Sequence, residues 1–88
     1  MPTKHIIVKG KVQGVFFRVN TRKVAEENGL KGWVRNTENG DVEIMASGSE
    51  EQLEKLVKWC RRGPEKARVD EVEVHAVAES DFKKFSIK

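Results

Sequence analysis

Leu30–Pro64 reads LKGWVRNTENGDVEIMASGSEEQLEKLVKWCRRGP, and three elements follow one another in it. Leu30–Thr37 and Asp41–Ser47 are short segments rich in apolar and β-branched residues, split by Glu38-Asn39-Gly40, a hairpin turn signal. The register of that hairpin decides which side chains point inward. A two-residue Asn39-Gly40 loop would pair Glu38 with Asp41 and put Arg35 on the face of Val42 and Ile44. A three-residue loop, with Gly40 left-handed in a bulge, pairs Thr37 with Asp41, turns Val34 inward and sets Asn36 opposite Val42. A slip of one residue exchanges the two faces of a strand. Burying Val34 is favoured over burying a charged Arg35, so the three-residue loop is expected. The period then changes. Ser49 and Gln52 form a capping box, and Leu53, Leu56, Val57 and Cys60 recur at i, i+3, i+4 and i+7, one face of a helix. Arg61 and Arg62 suit the negative end of its dipole, and Gly63-Pro64 ends it.

Upstream, His5–Val12 (HIIVKGKV) reads as a strand. Gly14 breaks the pattern within Gln13–Arg18 (QGVFFR). From Phe17 the period becomes helical, with Phe17, Thr21, Val24 and Ala25 on one face and Gly29 as a left-handed stop. Downstream, Ala67–Val77 reads as a strand with Val72, Val74 and Ala76 inward, and Phe85-Ser86-Ile87 fits a short final strand. The order is strand, helix, strand, strand, helix, strand. Two split βαβ units of this kind make an α+β, ferredoxin-like sandwich: a four-stranded antiparallel sheet, with a short fifth C-terminal strand as an option, covered on one face by two helices. That fold hosts many functions and selects none.

The 88 residues are 35% charged and 38% hydrophobic, with a net charge of +3. One domain over residues 1–88 is expected. No apolar run approaches the roughly 20 residues a membrane helix needs. The opening MPTKHIIVKG lacks a signal-peptide pattern, so a cytoplasmic protein is expected. Cys60 is the single cysteine, which excludes an internal disulfide and a thiolate metal cage; it is expected to be buried in its helix. The modest positive charge suits an anionic ligand.

Neither a GxxxxGK[ST] phosphate loop nor a GxGxxG fingerprint occurs. His5 and His75 stand far apart, with no CxxC or HExxH spacing, so neither a metal site nor a catalytic histidine is expected. What remains is Gly14-Val15-Phe16-Phe17-Arg18, between a strand and a helix. A glycine-containing loop that enters a helix presents unpaired backbone N–H groups at the positive end of the dipole, which is an anion site. A cation at that position, Arg18, is disfavoured by the dipole unless an anion compensates, and a phosphate would take two hydrogen bonds from the guanidinium. The other reading is a tight turn with a solvent-facing arginine. The first and second strands are parallel in this fold, so the loop ending at Arg18 and the inward Asn36 meet at one sheet edge. The Asn36 amide both donates and accepts there, which suits holding a water; local hydrogen bonding before Asn39-Gly40 is the alternative.

At these residues the chain resembles a known family. Gly10–Arg18 (GKVQGVFFR) resembles the acylphosphatase signature, and Gly29–Glu43 (GLKGWVRNTENGDVE) resembles that family's second motif. Gly63–Val74 (GPEKARVDEVEV) and Phe85-Ser86-Ile87 are similar too, so the resemblance spans essentially the whole chain. It implies a hydrolase, without metal or cofactor, that cleaves the carboxyl–phosphate bond of acyl phosphates. It implies that Arg18 binds the phosphoryl group, that Asn36 positions the attacking water, and that backbone amides of Gln13, Gly14, Val15, Phe16 and Phe17 line the phosphate cradle. Inorganic phosphate or sulfate would compete for that cradle, and a monomer is expected. One departure is Asn39, where many members carry Asp; both residues tolerate a left-handed turn.

Three rivals share the fold. RNA-binding domains stack bases on aromatic residues of the central strands, but HIIVKGKV and DVEIMAS carry none, so no nucleic-acid partner is expected. A small-molecule sensor domain is usually attached to an enzyme, and no attached domain is expected here. A larger protein that handles carbamoyl phosphate also contains this fold, and the shortness of the chain sets the expectation against it.

Overall fold

The computed structural model describes residues 1–88. Strands β1 (Thr3–Lys11), β2 (Lys31–Asn36), β3 (Val42–Ser47), β4 (Arg68–Val77) and β5 (Phe85–Ile87) form one sheet in the order β4-β1-β3-β2-β5. Helices α1 (Phe17–Glu27) and α2 (Glu50–Arg62) cover one face of it. The first four strands pair antiparallel, as expected. The optional fifth strand is present and runs parallel to β2, with Val34 opposite Ile87. No helix is long and apolar enough to cross a membrane.

Alternation builds the core. Ile6 and Val8 of β1, Val42, Ile44 and Ala46 of β3, and Val34 of β2 point to the helices and are buried. Leu53, Leu56 and Cys60 of α2 and Phe17 and Ala25 of α1 close over them. The hairpin takes the three-residue register: Asn36 lies opposite Val42, and Thr37 N–H donates to Asp41 O at 2.9 Å. Gly40 sits at φ 90°, a conformation that side-chain-bearing residues avoid. The capping box is formed in full, with Gln52 N–H donating to Ser49 Oγ and Ser49 N–H to Gln52 Oε1. Helix α1 ends in a Schellman motif: Leu30 N–H reaches Ala25 O and Gly29 N–H reaches Glu26 O.

Val72 and Val74 of β4 face inward as expected and pack, half-buried, against the core, whereas Ala76 on the same side is exposed. Strand β4 is an outer strand, and Ala76 stands opposite Lys4, beyond the apolar ladder of Ile6 and Val8. Cys60 is buried as expected, and burial pushes its thiol up to about 12.

Both histidines lie on the sheet face without helices, opposite one another in register. His5 Nε2 is 2.6 Å from Glu43 Oε2, and Arg35 Nε donates to the other oxygen of that carboxylate. Burial alone would raise the Glu43 pKa, but the hydrogen bonds from His5 and Arg35 outweigh it and hold the carboxyl below its ordinary value. A folded pKa below the unfolded value stabilises the fold above about pH 4.3, and this is lost as pH falls through the folded value. Glu43→Gln should therefore lower stability at pH 7 by about 1 kcal/mol, roughly 4–8 °C in Tm for a domain this size. Melts between pH 7 and pH 3 should show the gap to the native protein closing in acid. A gap that stays constant over that range would show that the charge of Glu43 contributes nothing.

Candidate active site

The site forms where β1 runs into α1. Val12 and Val15 are buried and anchor the connecting loop to the core. Gly14 between them has φ 74°, and Phe16 has φ 63° and ψ 25° as the residue that caps α1. No side chain caps this helix end, and its first turn contains no acidic residue. The backbone N–H groups of residues 13–19 donate no hydrogen bond within the chain. Seven such donors, at and before the first turn of a helix with a positive dipole end, suit an anion.

Arg18 is the second residue of α1 and is half-buried. Its guanidinium makes no ion pair within the chain. Asn36 ends β2, the strand that lies parallel to β1 across β3. A cleft of about 390 Å³ brings Arg18 and Asn36 together, and they supply its only polar side chains. Gly14, Phe16 and Phe17 contribute to its walls, whereas Gln13 and Val15 do not.

Sequence reasoning gave Gln13 only a backbone role and missed its side chain. Its amide Nε2 donates to Thr37 O and to Asp41 O, each at 2.9 Å. These two carbonyls flank the β2–β3 turn, so one side chain ties the β1–α1 loop to the hairpin that carries Asn36. The turn is closed further by Asp41 N–H donating to Thr37 Oγ1. The Asn36 side chain makes no hydrogen bond in the chain, so the turn is held without it. Ile87 was also missed; it reaches the cleft because β5 pairs with β2. No three His, Cys, Asp or Glu side chains are grouped so as to hold a metal ion.

The acylphosphatase family model matches residues 4–87, nearly the whole chain. The chain belongs to the acylphosphatase family. The chain is 56% identical over 68 residues to an acylphosphatase of Marinobacter nauticus, covering 77% of this chain and 74% of that one. It is 43% identical over 88 residues to an acylphosphatase of Methylococcus capsulatus, covering 99% and 96%. Among solved structures, the acylphosphatase of Bacillus subtilis superposes with a TM-score of 0.97 at 36% identity, covering 100% of this chain and 99% of the other. The acylphosphatase fold is thus the ferredoxin-like sandwich described above. The activity that membership carries is hydrolysis of acyl phosphates.

Proposed function

We propose that the cleft between α1 and β2 is where this acylphosphatase works, with Arg18 and the backbone amides of residues 13–17 holding the phosphoryl group and Asn36 aiming a water at phosphorus. The observation that carries this reading is the shared cleft: Arg18 and Asn36 are its only polar side chains, beside seven uncommitted backbone donors.

The chemistry needs little more. The carboxylate of an acyl phosphate leaves without being protonated, so a general acid is dispensable. Phosphoryl transfer rests on positioning and charge stabilisation, because its transition state is loose and spreads negative charge over the phosphoryl oxygens. Arg18 and the loop amides supply that stabilisation from fixed positions. Asn36 accepts from the water and places its oxygen in line with the departing carboxylate. The water oxygen bonds to phosphorus as the bond to the carboxylate oxygen breaks with its electron pair. The water proton passes to a phosphoryl oxygen, since neither cleft side chain is a base. The reaction needs no metal or cofactor.

Residues 1–88 act as one domain on this reading, as a monomer in the cytoplasm, with inorganic phosphate and sulfate as competing anions. Titration of the labelled protein with inorganic phosphate tests the location. The amide resonances of residues 13–18 should shift together and saturate, and phosphate should inhibit acyl phosphate hydrolysis with the same constant. Shifts confined to another surface, such as the lysines of α2, would place the anion site elsewhere.

A further inference from the structure

We propose that the side chain of Gln13 is a positioning residue for the hydrolysis: by tying the β1–α1 loop to the β2–β3 hairpin, it fixes the distance between the bound phosphoryl group and the water that Asn36 aims. The proposal rests on the reading of the cleft given above, and it gives Gln13 a role that its backbone N–H alone does not have.

The two halves of the site stand on separate pieces of chain. The loop after β1 holds the phosphoryl group on that reading, and the end of β2 carries Asn36. Strand β3 lies between β1 and β2, so no ladder hydrogen bond joins the two directly. Across this gap the Gln13 amide commits both of its Nε2 protons, one to Thr37 O and one to Asp41 O, each at 2.9 Å. No other hydrogen bond runs from residues 13–16 to the hairpin. The turn itself has bonds of its own. Thr37 N–H donates to Asp41 O at 2.9 Å, Gly40 N–H to Thr37 O at 3.3 Å, and Asp41 N–H to Thr37 Oγ1 at 3.1 Å. What Gln13 adds is a fixed separation of loop and hairpin. Asn36 precedes Thr37 in the chain, and its side chain has no hydrogen bond of its own to hold it. Its aim therefore comes from the backbone that Gln13 ties down. The Gln13 side chain is half-buried and lies outside the cleft, so it acts through Asn36 and not on the substrate. A primary amide presents two donors from one nitrogen, which suits two neighbouring carbonyls; a carboxylate would set oxygen against oxygen, and a thioether would fill the space and donate nothing. A misplacement of about 1 Å between water and phosphorus costs roughly 10²-fold in rate.

The test is a double-mutant cycle on kcat and KM for acetyl phosphate, with Gln13→Met, Asn36→Ala and the double variant, each assayed well below its melting temperature. Gln13→Met keeps the backbone N–H and removes only the side-chain donors. In that variant kcat should fall roughly 10²-fold, while KM and the inhibition constant of inorganic phosphate stay within about threefold of native. In the Asn36→Ala background the same substitution should cost less than about threefold more, because no aimed water is left to misplace. A residue that only stabilised the fold would lower the melting temperature and leave these kinetics alone. A folded Gln13→Met with kcat within about threefold of native would overturn the proposal. Losses that multiply in the double variant would overturn it too, as would a phosphate constant that rises in step with the fall in kcat, since Gln13 would then shape the phosphate loop and not aim the water. Should Gln13→Met fail to fold, Gln13→Asn, whose amide is too short to span both carbonyls, is judged by the same criteria. An Asn36→Ala variant with near-native turnover would remove the water-positioning reading, and this proposal with it.

Discussion

Arg18→Lys is expected to lose nearly as much activity as Arg18→Ala, roughly 10³-fold or more, the range seen when a transition-state arginine is removed from a phosphoryl-transfer site. Lysine keeps the charge, but its ammonium is a compact point donor and cannot grip two phosphoryl oxygens in one plane. Arg18 makes no ion pair with any other residue of the chain, so nothing else in the fold depends on its fork. Melting temperature should therefore change little in either variant. Phosphate inhibition should weaken along with turnover, because the same contacts hold product and transition state. A lysine variant within about tenfold of the native rate would mean that charge alone suffices and that the two-pronged geometry is wrong.

Asn36→Ala is expected to separate binding from chemistry. The Asn36 amide is engaged with no other group of the chain, and the neighbouring turn is closed by Gln13 and Thr37. Its removal should leave stability nearly unaltered. If it aims the water and touches the phosphate little, KM should remain close to normal while kcat falls roughly 10²–10³-fold, the scale of one well-placed transition-state hydrogen bond. Equal losses in kcat and kcat/KM mark an interaction made only in the transition state. A folded variant with near-normal turnover would remove the water-positioning role. A rise in KM alone would make Asn36 a substrate-binding residue instead.

Much of this arrangement was legible in the sequence because burial decides register. Val34 or Arg35 had to face the core, and that choice alone fixed the hairpin, the inward direction of Asn36 and the left-handed place of Gly40. Arg18 and Asn36 could be brought to one edge because the fold makes β1 and β2 parallel on either side of β3. Other parts left no trace. Gln13 is a single polar residue in a loop, and nothing in its neighbours signals that its amide spans Thr37 and Asp41. Phe85–Ile87 is too short to carry a period, so neither its parallel pairing nor the arrival of Ile87 at the cleft could be derived. Ala76 obeys the inward alternation of β4 yet is exposed, because alternation reports the face of a strand and not whether anything covers it there.

The central claim is that Arg18 and its loop carry out acyl phosphate hydrolysis without a metal. The most direct measurement is phosphate release from acetyl phosphate by the native protein and by Arg18→Ala, side by side, in excess chelator. The account predicts rapid release by the native protein, unaffected by the chelator, and release near the spontaneous rate in the variant. Native activity that disappears with chelator and returns with Mg²⁺ or Zn²⁺, or a folded Arg18→Ala that keeps the native rate, would contradict it.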